Sequence, residues 1–317
     1  METNMSDSTK KEIFNRATGL LVIEVINSNP NGDPDRESDP RYRDIDWRGE
    51  ISPVSFKRKL RDLIDDKSGP LWKEVSTKFS PVLDPDNFQI FEQRYRDRGL
   101  LTKELRNENG KIFKEKYWDG RIFGNTFLEK GENEKEETSK KEKKEGQQKI
   151  TIKTGVVQFG LGVSVSPIRI QRLTTTSKAG VEEGKEQGMA PLSYRIVEHA
   201  IYCLPYFINP SAAGATDCKK EDIELLTKVI PYAYTQTASY IRSQVEILHA
   251  WYIEHNSPLG SCSDFGLIDA LTPRKKKKED SEKPSLSREE YIIPTDKDLP
   301  EELRNKVMPI RDLMKEI

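Results

Sequence analysis

Residues 27–35, Asn-Ser-Asn-Pro-Asn-Gly-Asp-Pro-Asp, separate an apolar run at residues 20–26 from a basic segment at residues 56–61. The valines and isoleucines of the apolar run favour a pleated strand. Pro30, Gly32 and Pro34 then exclude both a helix and an inner strand, because proline lacks an amide donor and glycine favours turns. The sequence therefore predicts a central strand, an exposed polar loop and a helix, in that order.

The predicted helix follows Ser52, which can cap its first turn, and apolar residues recur from Phe56 to Ile64 at helical spacing. At about 100° per residue, Lys57, Arg58 and Arg61 fall together on one flank of this apolar stripe. Such cations can simply be solvated, or they can bind the phosphates of a nucleic acid. Both interpretations stay open on the helix alone.

The composition describes a chain that is long enough for a sizeable core but carries a highly charged surface. The 317 residues are 34% hydrophobic and 33% charged, and the formal net charge is −1. This balance argues against a protein that coats nucleic acid through its net charge. Any RNA site must therefore be a local basic patch.

Three widely spaced cysteines suit a reducing compartment better than a disulfide framework, and no zinc-binding spacing occurs. The polar N-terminus lacks the apolar core of a signal peptide, and no apolar run approaches the roughly 20 residues that cross a bilayer. We expect a soluble, cytoplasmic protein that needs no cofactor.

A second candidate contact lies at residues 41–48, Arg-Tyr-Arg-Asp-Ile-Asp-Trp-Arg, where three arginines interleave with two aromatic residues. Arginine pairs with phosphate and an aromatic ring offers a stacking face, so Arg43 and its neighbours suit a contact with single-stranded RNA. A small buried hairpin around Ile45 and Trp47 is an equal alternative.

The strand that ends in Asn-Pro-Asn-Gly-Asp-Pro and the following Lys-Arg-Lys helix resemble the backbone subunits of type I CRISPR effector complexes, the seven-type Cas proteins of the RAMP group. The type I-B and I-C branches are nearest in pattern. Residues 119–124, 155–164 and 216–226 are similar to further family segments and follow in the family's order. The chain departs from the family at Val163, where an arginine is common, and Arg169 or Arg172 is expected to supply that contact.

The resemblance implies an α+β fold: an RNA-recognition-motif (ferredoxin-like) palm with large helical and loop insertions, the fingers and the thumb. It also implies a non-catalytic subunit that oligomerises along a guide RNA (crRNA) and presents it for pairing with target DNA. The implied partners are the crRNA, further copies of the chain, other Cascade subunits and, through guide pairing, target DNA.

We expect the chain to be organised in parts that follow one another along the sequence, with the palm interrupted by insertions. These parts are a mobile N-terminus (1–16), a palm (17–65, 117–129 and 150–272) with a thumb loop at about 173–190, a helical subdomain (66–116), a disordered charged loop (130–149), and a linker with a C-terminal helix (273–317). Within them, we expect one long bent strand at 150–168, a helix that carries Ala238 to Leu248, and a terminal helix that carries Leu303 to Leu313.

The candidate RNA-binding residues combine the basic helix, the loop and the family-like segments. They are Asn29, Asn31, Arg43, Lys57, Arg58, Arg61, Arg121, Gln158, Ser164, Arg169, Arg172 and Met189. The asparagines would position ribose or phosphate, and the resemblance implies that Met189 at the thumb pries a base aside. Arg121, beside a glycine-bounded turn, can either reach a phosphate or pair with Asp119.

Two other functions compete with RNA holding. The carboxylates of Asp33, Asp35 and Asp39 crowd one loop, and paired acids can bind Mg²⁺ for RNA cleavage. The backbone subunits of type III complexes, which the chain also resembles, place a catalytic Asp in a comparable loop, so the rival function is a guide-directed, metal-dependent RNase with Asp33 as its catalytic residue. Proline follows both Asp33 and Asp39, however, as turn chemistry alone would predict. A scaffold protein unrelated to RNA would explain the charge runs but not the strand, loop and basic helix together.

Overall fold

The computed structural model describes residues 14–94, 96–97, 111–125, 153–178 and 189–317. Its strands, numbered in chain order, are β1 (Ala17–Ser28), β2 (Gly32–Asp33), β3 (Asp39–Pro40), β4 (Arg48–Ile51), β5 (Gly124–Asn125), β6 (Lys153–Thr154), β7 (Val157–Phe159), β8 (Gly162–Pro167), β9 (Ile170–Lys178), β10 (Met189–Ile208), β11 (Val245–Glu254), β12 (Arg274–Lys275), β13 (Tyr291–Ile292) and β14 (Arg311–Asp312).

Helices lie between these strands, and several short 3₁₀ turns connect them. The α-helices are α1 (Pro53–Asp65), α2 (Pro70–Thr77), α3 (Lys111–Lys116), α4 (Trp118–Phe123), α5 (Ala213–Thr216), α6 (Lys220–Val229), α7 (Asp264–Leu271) and α8 (Glu301–Arg304). Within the described ranges, none of these helices has the length and apolarity to cross a membrane.

Strand β1 lies in the middle of the main sheet, as the apolar run predicts. It pairs antiparallel with β10 on one side and with β11 on the other, in a sheet of order β14-β11-β1-β10-β8-β4. Strands β7 and β9 also pair with β10, at other positions along that long strand. The arrangement is a mixed α+β fold around an antiparallel sheet.

Both faces of β1 are buried because alternate side chains enter two separate cores. Leu21 and Ile23 pack with residues of α1, α2, α4 and α6 on one face. Leu20 and Val22 pack on the other face with residues of β11, α7 and the chain beyond it. The sheet is therefore covered by α1, α2, α4 and α6 on one side and by most of the C-terminal segment (residues 256–317) on the other.

Polar side chains hold the C-terminal segment against the sheet. His199 of β10 contacts Ser285, with Nδ1 and Oγ 2.7 Å apart, and Ser166 of β8 contacts the Tyr291 hydroxyl at 2.7 Å. His199 also lies 3.3 Å from a carboxylate oxygen of Glu24 on β1. The prediction of a plain linker from residue 273 is therefore wrong, because Ser285 and Tyr291 are buried here.

The predicted helix from Ala238 to Leu248 is wrong. Residues 240–242 form a 3₁₀ turn, and β11 already begins at Val245. Val245 and Ile247 occupy register positions opposite Val25 and Ile23 of β1. Pairing with the central strand therefore overrides the helical spacing, since β-branched residues suit such a pleated, buried surface.

Three other predicted elements differ from the structure. The strand expected over 150–168 is divided into β6, β7 and β8, while residues 150–152 lie outside the described ranges. The terminal helix ends at Arg304, and Pro309 precedes the short strand β14, which adds to the edge at β11. Residues 173–178 and 189–190 of the expected thumb loop belong to the paired strands β9 and β10, while residues 179–188 lie outside the described ranges.

The predicted charged loop at 130–149, residues 1–13 of the predicted N-terminus and residues 98–110 of the predicted helical insertion lie outside the described ranges. The described part of that insertion contains α2, a 3₁₀ turn at Pro85–Phe88, and α3. Phe88 therefore lies in a 3₁₀ turn and not in an α-helix of the expected helical subdomain.

Candidate nucleic-acid interface

The polar loop after β1 has a defined shape that its own side chains maintain. Strands β2 and β3 form a two-residue hairpin ladder in which Asp33 lies opposite Asp39. The Asp33 carboxylate accepts a hydrogen bond from the Asp35 amide at 3.3 Å and so caps the 3₁₀ turn Pro34–Arg36. The turn chemistry expected from the Asp-Pro pairs is thus present.

Arginines neutralise the carboxylates of this loop. Asp33 lies between Arg36, at 3.9 Å, and Arg41, at 3.4 Å. Asp39 lies between two arginines of the β9–β10 hairpin, with Arg172 at 3.1 Å and Arg195 at 2.8 Å. We call this set the arginine–carboxylate network, and its members are Asp33, Arg36, Glu37, Asp39, Arg41, Asp44, Arg172 and Arg195.

The network explains how two positively charged arginines can lie directly opposite each other on neighbouring strands. Arg172 and Arg195 are register partners in the β9–β10 hairpin, and like charges in that position destabilise a sheet. Asp39 lies within ion-pair distance of both guanidinium groups and offsets their repulsion. Sequence reasoning missed Arg195, because the register that places it opposite Arg172 is set by the strand pairing.

Among the residues that the structure describes, no group of three or more His, Cys, Asp or Glu side chains could hold a metal ion. Asp33 instead faces arginines and a backbone amide. In this conformation its carboxylate acts as a turn cap and an ion-pair partner.

The two predicted loop asparagines hold the loop in place. Asn29 is buried, and its side-chain amide donates to the Ser38 carbonyl at 2.9 Å. The Asn31 side-chain oxygen accepts from the amide of Ser52, the N-cap of α1, at 2.7 Å. Ser52 in turn accepts from the Ser55 amide at 3.2 Å, which confirms the predicted cap. The asparagines thus connect the loop to α1.

Two predicted RNA contacts, Arg61 and Arg121, are buried in ion pairs. Arg61 Nε lies 2.8 Å from the Asp119 carboxylate, and a second nitrogen lies 3.1 Å from Glu92. Arg121 makes a bidentate pair with Asp222, at 2.9 and 2.7 Å. Both guanidinium groups are buried and paired with carboxylates, so the expectation that they contact phosphate directly is corrected.

Arg121 is also fully hydrogen-bonded. Besides Asp222, it donates to the backbone carbonyls of Lys114, Glu115 and Asn87 at 3.1, 2.8 and 2.8 Å. These bonds use all five N–H donors of a guanidinium. Of the two roles that the sequence left open for Arg121, the structural one is present, but with Asp222 in the place of Asp119.

The other cations of α1 also contact neighbouring parts of the protein. Lys57 lies with Nζ 5.0 Å from the centre of the Phe123 ring, and burial, together with the charge of Arg61, lowers its pKa to about 8. Arg58 donates to the Glu92 carbonyl at 2.6 Å. Lys59 is buried and donates to Thr237 at 2.8 Å. The predicted basic edge is therefore largely engaged in internal contacts.

Ser164 is a third predicted contact that the structure buries. Its hydroxyl donates to the Ser166 carbonyl at 2.6 Å and accepts from the Gly49 amide at 2.8 Å, so it joins β8 to β4. Its expected direct contact with RNA is corrected accordingly. Gln158 is exposed on β7. Met189 begins β10, and the position of its side chain lies outside what the structure describes.

Arg169 and Arg172 are the most exposed of the predicted cations. Their side chains are 55% and 71% exposed, and each contacts one carboxylate, on Glu198 and Asp39 respectively. A single carboxylate leaves other guanidinium donors available to a ligand. Arg43 is partly exposed and pairs with Asp46. Both residues lie just after the loop that carries the arginine–carboxylate network. These three residues therefore form the accessible part of the candidate interface.

Comparison with known proteins gives one extended match. The family model described as CRISPR-associated protein Cas7 matches residues 15–296. The curated proteins include no match to this chain.

Several solved structures are similar at low identity. A chain from "CRISPR RNA-guided surveillance complex, pre-nicking" is 10% identical, with a TM-score of 0.44, and the match covers 76% of this chain and 78% of that one. A chain from "CRISPR RNA-guided surveillance complex" is 10% identical, with a TM-score of 0.38 and coverage of 80% and 75%. A chain of the Type III-B Cmr-beta complex bound to cognate target RNA is also 10% identical, with a TM-score of 0.38 and coverage of 76% and 61%.

Proposed function

This chain belongs to the CRISPR-associated protein Cas7 family, and on that premise we propose that it is a guide-RNA-binding backbone subunit of a CRISPR interference complex. Several copies would line up along one crRNA, hold it without cutting it and present it for pairing with target DNA. Other Cascade subunits would complete the assembly, which we propose to be of type I. The family match over residues 15–296 is the observation that carries this proposal.

We further propose that the centre of the fold is a palm of the RNA-recognition-motif type. Two features support it. The elements β1, α1, β8, β10, α6 and β11 follow the chain order strand, helix, strand, strand, helix, strand. Their sheet order, β11-β1-β10-β8, places the first strand of the unit in the interior.

The RNA would contact the loop side of the sheet. The sheet face opposite the helices already packs against the C-terminal segment, with Leu20, Val22 and Trp251 buried beneath it. Arg169 and Arg172, in contrast, lie exposed at the base of the β9–β10 hairpin, beside the loop after β1. Guanidinium groups bind phosphate in a bidentate manner, so these two arginines, with Arg43, are the proposed contacts on this side. Gln158 is exposed but lies opposite Phe207, near the other end of β10.

Salt dependence of RNA binding tests the proposal. Binding of a labelled single-stranded RNA, followed by fluorescence anisotropy from low to moderate salt, should weaken by about 0.7 log unit per log unit of salt for each neutralised phosphate. The double variant Arg169→Ala, Arg172→Ala should flatten that slope by about 1.4. The variant Arg274→Ala is the matched control, because Arg274 is also exposed and paired with one carboxylate, on Asp269. An unchanged slope in the double variant would refute the assigned contacts.

The nuclease alternative is tested separately, and no observation on this structure favours it. We expect bound complementary RNA to stay intact in the presence of Mg²⁺, in both the wild-type protein and Asp33→Ala. Regular cleavage that disappears in Asp33→Ala would instead identify a type III-like, metal-dependent RNase. A full-length RNA pattern on a denaturing gel is therefore the expected result.

A further inference from the structure

Residues 42–49 form a tight hairpin that projects an aromatic side chain from the surface. Tyr42 and Gly49 form an antiparallel bridge, and the Trp47 amide donates to the Arg43 carbonyl at 2.8 Å. The Trp47 side chain is 56% exposed. Of the four tryptophans in the chain, the other three, Trp72, Trp118 and Trp251, are buried. Packing of the core therefore does not account for the placement of Trp47.

Trp47 is the outermost side chain of a stack that also contains Tyr42 and Arg36. Its ring lies parallel to that of Tyr42, with centroids 4.9 Å apart and planes 6° from parallel. The Arg36 guanidinium lies 4.5 Å from the centre of the Tyr42 ring. Arg36 and Trp47 thus both contact the Tyr42 ring. The stack positions Trp47 before any ligand arrives.

The backbone at Trp47 is strained in a way that presents this ring. Its φ is +58°, in the left-handed region, which is costly for a bulky residue. Surrounding bonds maintain that conformation: Arg43 pairs with Asp46 across the turn, and the Trp47 carbonyl accepts from the Ile168 amide at 2.9 Å. Strain that neighbouring structure holds in place is characteristic of functional positions.

The bond from Ile168 also places the hairpin beside the proposed phosphate contacts. Ile168 directly precedes Arg169, and β9, which carries Arg172, begins two residues further on. An exposed aromatic face next to exposed guanidinium groups is the combination that binds single-stranded nucleic acid, with bases stacked on the ring and phosphates near the cations. A protein-docking patch would require contiguous apolar surface, whereas charged residues alternate with Ile45 and Trp47 here.

We propose that the outer face of Trp47 stacks on a base of the single-stranded RNA whose phosphates contact Arg169 and Arg172. This inference rests on the proposed function, because it requires the chain to bind RNA. It adds a base contact, made by the Arg36–Tyr42–Trp47 stack, to contacts that otherwise involve only the sugar–phosphate backbone.

Tryptophan fluorescence of the full-length protein tests the stacking directly, because Trp47 is the accessible tryptophan. Two probes of equal length are compared: oligouridine RNA and an abasic ribose-phosphate strand. We expect oligouridine to quench the Trp47 emission and to protect it from acrylamide, whereas the abasic strand binds without quenching. Trp47→Ala should weaken oligouridine binding roughly 5- to 100-fold and leave abasic binding unchanged. Trp47→Phe, which keeps an aromatic face, should retain most of the affinity.

Each other outcome identifies what fails. If Trp47→Ala weakens both probes equally, the hairpin acts as a structural support and the stacking proposal is wrong. If both probes bind with a normal salt slope and Trp47→Ala has no effect, the stacking fails while the proposed function stands. If the wild-type protein binds neither probe, the proposed function fails and the stacking fails with it. A Trp47 emission that changes only with protein concentration would indicate a protein partner and overturn the base contact.

Discussion

At the scale of single residues, arginines that look alike in the sequence have different roles. Arg121 is enclosed by Asp222 and backbone carbonyls, while Arg172 is largely exposed and contacts one carboxylate. Burial decides between these roles, because a guanidinium whose donors are all used has none left for a phosphate. The sequence identifies the arginines as candidates, but the carboxylate that pairs with Arg121, on Asp222, lies 101 residues further along the chain.

Replacing Arg121 tests the structural role. Arg121→Ala leaves the Asp222 carboxylate buried without its partner, so the free energy of unfolding should fall by about 3–5 kcal/mol in urea denaturation. Arg274→Ala removes an exposed pair and should change it by less than about 1 kcal/mol. If Arg121→Ala were as mild as this control, the buried pair would not be a main support of the fold.

At the scale of secondary-structure elements, the sequence predicts the first strand, loop and helix of the chain well, and it predicts the strands and helices that follow less well. The strand, the loop and the capped helix α1 are confirmed, because each depends on local chemistry: β-branched residues, Asp-Pro turns and the Ser52 cap. Residues 245–248, the start of β11, were mistaken for the end of a helix, since their identity depends on pairing with β1 over a distance of more than two hundred residues.

The close contact between β1 and β10 gives a test at this scale. A Cβ atom at Gly19 would lie 2.0 Å from the ring of Tyr206, which is fully buried and donates to the Trp251 carbonyl. Gly19→Ala should therefore lower the free energy of unfolding by about 3 kcal/mol through overpacking.

Gly214 in α5 offers the matched control for this substitution. A Cβ there meets nothing within 4 Å, so Gly214→Ala should be neutral or stabilise the protein by up to about 1 kcal/mol. The stabilities of the two variants are compared by measuring their thermal unfolding under the same conditions. Equal effects of the two substitutions would contradict the tight packing of Tyr206 over β1.

At the scale of the whole molecule, the fold determines which surface is left for RNA. Helices cover one face of the sheet and the C-terminal segment covers the other, so the arginines that we propose as RNA contacts, Arg169 and Arg172, lie beside the loop after β1. The sequence could not show this, because its C-terminal lysine run and acidic residues are typical of a solvated linker. Buried Ser285, Tyr291 and Leu299 anchor that segment instead.

The most direct test of the central claim is to produce the chain together with a CRISPR repeat–spacer transcript and its genomic neighbours, purify it, and measure bound RNA and mass. We predict an absorbance ratio at 260 and 280 nm that indicates nucleic acid, a mass for several copies of the chain by light scattering, and recovery of the guide RNA at full length. A monomer free of RNA, obtained with a correctly folded chain, would contradict a guide-RNA-binding backbone subunit.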